Sequence, residues 1–512
     1  MTIEVLGGDI HLVDLQTRLP FKYGIATMTE APHAFVRLRV EVDGRPATGV
    51  AADLLPPKWF TKVAETPLET EVLQMLATIE AAVELATGSR AETPFDLWRD
   101  LYEKQAEWGR GQGDGQGQGQ GQGWPPLLVN FGMTLVERAM IEAVARAAGV
   151  SWFELLHGGG LGIRLGECDE VLSGLEVSEL LPLELPGEVI ARHTVGMSDP
   201  LTDAEIDSDS RLDDGLPQSL SACLSEYGLC HLKIKVNGDF DADLERLSDI
   251  AQLVERTGVR DFGFTLDGNE QFRDPSSFRA YWERLSGQAD LREFLSHLIF
   301  VEQPFHRDVA LDPAVMGGAG GLAEWGGRPR MIIDESDAET DSLRRALELG
   351  YHGTSHKNCK GVFRGVINAC LVAWLNRQRP RDGGAGYIIS GEDLANIGPV
   401  ALLQDLAVSS SLGVSSIERN GHHYFAGLGA FPESVGAQVL AAHGDLYHRS
   451  RDGWPTLTVR GGRVSLASLQ RAPLGVGFEI DVEQFTSSSD WRRGGVSRSC
   501  RCDAAAGCGG WL

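Results

Sequence analysis

Five short stretches carry lysines and carboxylates at regular intervals. They read His231-Leu-Lys-Ile-Lys235, Leu266-Asp-Gly-Asn269, Val301-Glu-Gln-Pro304, Ile333-Asp-Glu335 and His356-Lys-Asn-Cys-Lys360. Asp267, Glu302 and Asp334 brought together make a compact oxygen cage, which suits a hard divalent cation such as Mg²⁺, with Mn²⁺ as an alternative. Lysines on two sides of such a cage would flank a substrate. The chemistry such a set offers is metal-assisted proton transfer.

The elements that must position these residues follow from the spacing. From Lys235 to Asp267, Glu302, Asp334 and Lys357 the steps are 32, 35, 32 and 23 residues, each about the length of one strand-plus-helix unit. Apolar β-type runs precede the charged residues, Phe262-Gly-Phe-Thr-Leu before Asp267 and Leu298-Ile-Phe-Val before Glu302 being the clearest. In a parallel barrel the C-terminal strand ends line one mouth, where active sites are built. Residues two apart on a strand share a face, so Lys233 and Lys235 point the same way, as do Asp267 and Asn269.

The ordered set Lys-x-Lys, Asp-x-Asn, Glu-Gln-Pro, Asp-Glu and Lys-x-x-Lys resembles the enolase superfamily. Within it, the pattern is similar to the mandelate racemase/muconate lactonizing enzymes, in the branch of muconate cycloisomerases, dipeptide epimerases and o-succinylbenzoate synthases. The resemblance covers roughly residues 10 to 480. Two departures fall in the pocket: Gly361 is followed by Val362 and Phe363 rather than glycine, and the aromatic after Asp-x-Asn is Phe272 rather than tryptophan. The resemblance implies an α/β fold, a modified TIM (β/α)7-8 barrel with an N-terminal α+β capping domain. It also implies abstraction of a proton α to a carboxylate, through an enolate, in an epimerase or racemase, cycloisomerase or synthase reaction.

On that reading Lys235 and Lys357 are the two acid/base groups, on the second and sixth strands and so across the mouth from each other. Lys233 orients Lys235 and helps to neutralise the substrate carboxylate. Like charges at Lys233 beside Lys235, and at Lys360 near Lys357, are expected to lower the pKa of the bases. Asp267, Glu302 and Asp334 hold the metal, while Asn269 and Glu335 either touch it or hydrogen-bond its ligands. Lys22 and Tyr23 sit where the superfamily has a mobile capping loop, and Ser390, Glu392, Glu418, His422 and His423 lie near the mouth, all seven as substrate contacts. A histidine on a late strand keeps an acid-sugar dehydratase in play as an alternative, and a barrel that binds a ligand without turnover is a third reading.

The rest of the chain fits one large soluble protein. Its 512 residues are enough for a barrel plus a second domain. We read a capping domain over residues 1–160, a barrel over 161–485 and a disordered tail over 486–512. In the cap, Val36, Leu38, Val40 and Val42 alternate with polar residues before an Asp43-Gly44 turn, and two helical stripes follow, one of them Met133, Val136, Met140 and Val144. A Gly/Gln tract over 109–123 is too poor in apolar groups to pack and reads as a flexible insertion. Residues 199–214, rich in aspartate, read as a solvated loop.

The formal charge of −26 excludes a nucleic-acid surface, which needs clustered lysine and arginine. No uncharged apolar run of about 18 residues appears, so no membrane span is expected. The first residues lack the basic and apolar regions of a signal peptide, and a cytoplasmic location follows by default. The eight cysteines are scattered except for Cys500, Cys502 and Cys508, and read as free thiols. The partner is a small-molecule carboxylate; assembly of identical chains is compatible with this reading.

Overall fold

The structure, a computed structural model, describes residues 1–112, 123–318, 320–379 and 386–494. The Gly/Gln tract between 113 and 122 and the cluster Cys500, Cys502 and Cys508 lie outside them. Among the described residues no helix is long and apolar enough to cross a membrane.

Eight parallel strands close into a barrel: Glu188–Val195, His231–Lys235, Gly263–Asp267, Leu298–Glu302, Met331–Ile333, Gly353–His356, Ile388–Gly391 and Ser416–Arg419. We number them first to eighth. The eighth pairs with the first, Glu418 opposite Arg192 and Arg419 opposite His193, so no edge is left between them. Helices return between strands as the sequence rhythm requires. The helix Phe240–Thr257 buries Leu247, Ile250 and Val254 and ends at Gly258 in the left-handed conformation, a glycine-favoured stop.

The cap is an antiparallel sheet, Ile3–Tyr23, Ala26–Val42 and Arg45–Leu54, against helices Leu68–Ala86, Pro94–Arg110 and Pro126–Ala148. The Asp43-Gly44 turn has φ of 47° and 78°, the double positive φ of a tight hairpin. The segment expected as a mobile capping loop is instead the tip of the hairpin between the first and second cap strands, with Phe21 paired to Met28 and Tyr23 to Ala26. Pairing with Ala26–Val42 supplies backbone partners that a loop would lack.

Helix 126–148 was expected to bury one stripe, but it is buried on every side from Leu127 to Ala145, because it lies between the cap sheet and the barrel. Its approach to the cap's own sheet and first helix is close. A side chain at Gly49 would meet the Ala139 carbonyl at 2.0 Å, and one at Gly132 would meet the Thr78 carbonyl at 2.0 Å.

Residues 486–494 differ from the expected tail. Thr486–Ser487 pairs with the first cap strand at Leu12 and His11, and the helix that follows buries Trp491, whose Nε1 donates to Asp14 at 2.8 Å. Residues 486–494 thus pack on the domain where the chain begins. The signal lay in one tryptophan amid polar residues, too little to outweigh the Ser/Arg composition around it. The aspartates of 199–214 are not all solvated: Asp199 accepts from the Gly196 amide and the Tyr424 hydroxyl, and Asp214 pairs with Arg18 of the cap.

Besides Arg18 with Asp214, further polar clamps join cap to barrel. Arg138, fully buried, donates to Asp53 at 2.7 Å, and the Asn396 amide donates to Asp53 and Asp405, each at 2.9 Å. Burial, reinforced by the Asp53 charge, raises the Asp405 carboxyl to about 8. Glu137 accepts the Phe363 amide at 2.6 Å, at the start of helix Val362–Gln378. At the third clamp Arg307 forks onto both oxygens of Glu270, at 2.8 and 2.9 Å, and donates to the carbonyls of Trp59 and Phe60. Lys62 reaches the same carboxylate at 2.6 Å. Burial pushes the Glu270 carboxyl up, but Arg307 and Lys62 outweigh it and hold it at about 2.

Two predictions follow from this packing. Arg307→Ala leaves Glu270 buried with half its partners and should cost about 3 kcal/mol in urea unfolding; Arg307→Ala combined with Glu270→Gln should recover much of that, and full additivity would contradict the clamp. At the insertion, Trp124 stacks edge-on against Trp108 at 5.6 Å and its amide donates to the Gly109 carbonyl at 3.1 Å, so the flanks are already joined. Deleting residues 113–122 should therefore shift the melting temperature by no more than about 2 °C, read by calorimetry.

Candidate functional site

Strand register sets the site. Lys235 lies opposite Asp267 and Asp267 opposite Glu302, at the ends of the second, third and fourth strands. Asp334 and Lys357 follow the last residues of the fifth and sixth strands. All five side chains are buried. Five stretches far apart in sequence meet here because their strands are neighbours.

Glu302, Asp334 and Glu392 each present an oxygen within 4.8 Å of the other two. Glu392, expected as a substrate contact, therefore closes a carboxylate trio, and Asp267 stands beside it. Asp267 is engaged by lysines, its Oδ2 lying 3.0 Å from Lys233 and 2.8 Å from Lys235. Lys233 lies at the centre of the acids, with Glu302, Glu392 and Glu418 also at 2.8 to 2.9 Å. Lys357 meets Asp334 at 2.8 Å and Glu392 at 2.6 Å. The lowering expected for the bases is reversed at Lys357, and Lys233 shifts the same way. Burial acts downward, but the carboxylates outweigh it and hold both well above the usual lysine range.

Surrounding residues fix this arrangement. Lys360 donates to the Ser355 carbonyl and hydroxyl at 2.9 Å and lies 2.8 Å from Asp334, so it holds that carboxylate rather than facing the pocket. Gln303 accepts the Asp334 and Ser336 amides. Asn269, Glu270 and Gln303 have φ of 42°, 66° and 36°, left-handed backbone that non-glycine residues adopt only when surroundings enforce it. Arg192 on the first strand donates to Ser390 at 2.8 Å and to Glu392 at 3.1 Å. Sequence reasoning missed Arg192; strand alternation from Thr194, which donates to Glu418 at 2.6 Å, would have placed it inside the barrel.

The carboxylates and lysines open into one pocket under the cap. Tyr23, Phe21 and Met28 of the hairpin, Pro56 and Trp59 of the clamped cap segment, and Leu394 supply its apolar walls. The Trp59 ring lies 5.5 Å from the Lys357 ammonium, a cation–π distance. Lys235, Lys357, Asp267, Asn269, Asp334, Glu335 and Glu418 line the polar side. Of the residues expected to touch substrate, Tyr23 and Glu418 line the pocket. Tyr23 donates to the Pro57 carbonyl at 2.7 Å. Lys22 alternates to the exposed face of the hairpin. Ser390 is buried behind Glu392, to which it donates at 3.0 Å.

His422 and His423 also fall outside the pocket. His422 contacts His193 at 3.2 Å, and His423 lies 3.7 Å from the Cys223 sulfur. Burial holds both imidazoles well below the usual histidine range. They follow the eighth strand in a short helical turn, Gly421–Tyr424, which swings them to the outer side of the barrel.

The acids and bases nearly balance. Asp267, Glu302, Asp334, Glu335, Glu392 and Glu418 face Lys233, Lys235, Lys357, Lys360 and Arg192, all buried. Acceptors of pocket-lining residues, Asn269 Oδ1, Glu335 Oε2 and Asn420 Oδ1 among them, have no hydrogen-bond partner among the described residues. Burial, then Asp334 and Glu270, raise the Glu335 carboxyl to about 7. An excess of buried oxygen ligands with orphaned acceptors fits a bound hard cation.

No family model and no curated protein matches the sequence. Solved structures match the fold along nearly the whole chain. A dipeptide epimerase from Enterococcus faecalis V583, complexed with Mg and the dipeptide L-Leu-L-Tyr, is 14% identical, with 93% of this chain and 100% of that one aligned at a TM-score of 0.57. A mandelate racemase/muconate lactonizing protein from Herpetosiphon aurantiacus is 15% identical, covering 93% and 99% at 0.57. The muconate lactonizing enzyme of Pseudomonas fluorescens, complexed with muconolactone, is 14% identical, covering 94% and 98% at 0.56. A closed eight-stranded barrel under an antiparallel cap, matched over more than nine-tenths of the chain, gives this chain the fold of the mandelate racemase and muconate lactonizing enzymes.

Proposed function

We propose that this protein is a Mg²⁺-dependent enzyme that abstracts a proton α to a carboxylate and uses two lysines to do so, in an epimerase, racemase, cycloisomerase or synthase reaction. The observation that carries this reading is the pairing of Lys235 and Lys357. They come from the second and sixth strands of an eight-stranded barrel and line one pocket. Strands so related lie on opposite walls.

Glu302 and Asp334 would hold the ion, with Asp267 and Glu392 beside them. Bound there, it supplies Lewis-acid stabilisation for negative charge developing on the substrate carboxylate. The chain's own residues do the rest. Lys360 and Gln303 fix Asp334 in place. Lys233 adds positive charge at the pocket floor, where a carboxylate can approach. Lys235 and Lys357 reach a substrate carbon from opposite faces, so one removes the proton and the other returns one or steadies the charge. The clamped Trp59 segment and the Phe21–Tyr23 hairpin cover the reacting carbon and exclude water.

The solved neighbour complexed with L-Leu-L-Tyr and the apolar walls here together support dipeptides as the first substrates to try. With Mg²⁺ in deuterium oxide, proton NMR should show wash-out of one α-proton in the wild-type protein. Lys235→Ala and Lys357→Ala should each lose turnover by at least about a thousandfold, yet each should keep exchange with one enantiomer, and the two should prefer opposite ones. Full activity in either variant contradicts the two-lysine reading; ligand binding without exchange in the wild type points to a barrel that does no chemistry.

Asp334→Asn should leave the fold intact and weaken Mg²⁺ binding by roughly a hundredfold in calorimetry. Unchanged affinity would remove Asp334 from the ion's ligands.

A further inference from the structure

The two histidines that leave the pocket enter a second cluster. The first barrel strand alternates faces. Arg192 and Thr194 point inward to Glu392 and Glu418, so His193 between them points outward. There it meets Cys223 on helix Leu220–Tyr227, and His423 on the turn after the eighth strand. One ligand atom from each of His193, Cys223 and His423 lies within 4.8 Å of the other two. All three residues are at most 2% exposed.

The distances suit a small cation. His423 Nδ1 and Cys223 Sγ are 3.7 Å apart; two ligands on a tetrahedral zinc, one sulfur and one nitrogen, are separated by about 3.6 Å given the usual bond lengths. His422 Nε2 lies 3.2 Å from His193 Nδ1. Ligating imidazoles commonly use their second nitrogen in this way to fix ring orientation. His422 Nδ1 is buried and has no partner among the described residues. Four nitrogen and sulfur side chains packed together without a carboxylate among them are poor hosts for Mg²⁺ and good ones for a borderline or soft cation.

We propose that His193, Cys223 and His423 form a buried site for a d-block cation of the zinc class, separate from the carboxylate cage. Binding releases the Cys223 thiol proton to solvent. The charged neighbours are Arg18, which donates to the His423 carbonyl at 2.9 Å and is already paired with Asp214, Arg419 toward His422, and Asp199 and Asp203 toward Cys223. The site spans the seam where the eighth strand closes on the first, and joins to it the helix that follows the first strand. An ion there would staple the closure of the barrel.

Co²⁺ titration of the full-length protein tests this, with Mg²⁺ in large excess to occupy the carboxylate cage. The wild type should take up one equivalent with a thiolate-to-cobalt absorption band that Zn²⁺ abolishes. Cys223→Ser should lose that equivalent and its band, and His423→Gln should bind roughly tenfold or more weakly. Asp334→Asn should keep both. Absence of the band in the wild type, or its full survival in Cys223→Ser, overturns the proposal, the latter because other cysteines would then be the source. If Cys223→Ser fails to fold, the His423→Gln titration decides by the same criterion: unchanged affinity overturns the site, and weakened affinity supports it.

Discussion

Burying six carboxylates in one cavity is unfavourable unless positive charge lies among them, and much of this structure answers that constraint. Lys233 has no role on the outside of the protein; it is held between Asp267, Glu302, Glu392 and Glu418. Lys357 does the same between Asp334 and Glu392. Removing any one basic group would leave an uncompensated buried charge. The strands that carry these residues must therefore be in register, since a slip of one residue would turn each charge from the barrel interior into the apolar layer beneath the helices.

The same constraint explains the cap. A cage of acids open to water would be screened and solvated, and its electrostatics weakened. The cap closes it with apolar walls, and buried polar clamps hold the cap in one position. Each clamp joins groups that are individually costly to bury: Asp53, paired with Arg138, with the barrel's Asn396, Glu137 with the Phe363 amide, and Glu270 with Arg307 and Lys62. The third positions Trp59 through its backbone carbonyl, so the ring that faces Lys357 is set by an ion pair on the far side of the segment.

How much of this was legible in the sequence depended on whether position along a strand or packing between strands decided the outcome. The barrel, its strand order and the meeting of Lys235, Asp267, Glu302, Asp334 and Lys357 were readable, because spacing and apolar runs fix which residues reach the strand ends. Glu392 and Glu418 were placed near the mouth, but their role in the charge cage was not readable, because it depends on which neighbour's ammonium each one meets. Phe21–Met28 was misread as a loop because its polar and aromatic mixture lacks the clean alternation seen at Val36–Val42. His422 and His423 were misassigned because a four-residue turn after the eighth strand redirects them, and no periodic pattern records a turn that short.

The first strand shows how one element can serve two chemistries without conflict. Arg192 and Thr194 face the carboxylates, and His193 between them faces Cys223 and His423. The backbone itself separates the two groups: alternate side chains leave a strand on opposite sides. Each set also differs in ligand type, oxygen and ammonium inside, imidazole and sulfur outside, so a hard cation and a soft one would sort themselves by chemistry as well as by position. Side chains on opposite faces share no hydrogen-bond partner, and substitutions confined to one face should act independently of those on the other. A change in the main chain at this strand is different. It would move both sets at once, and it lies at the seam where Glu418 and Arg419 of the last strand pair with Arg192 and His193 of the first. Closure of the barrel, the charge cage and the outer cluster thus depend on the same few backbone hydrogen bonds.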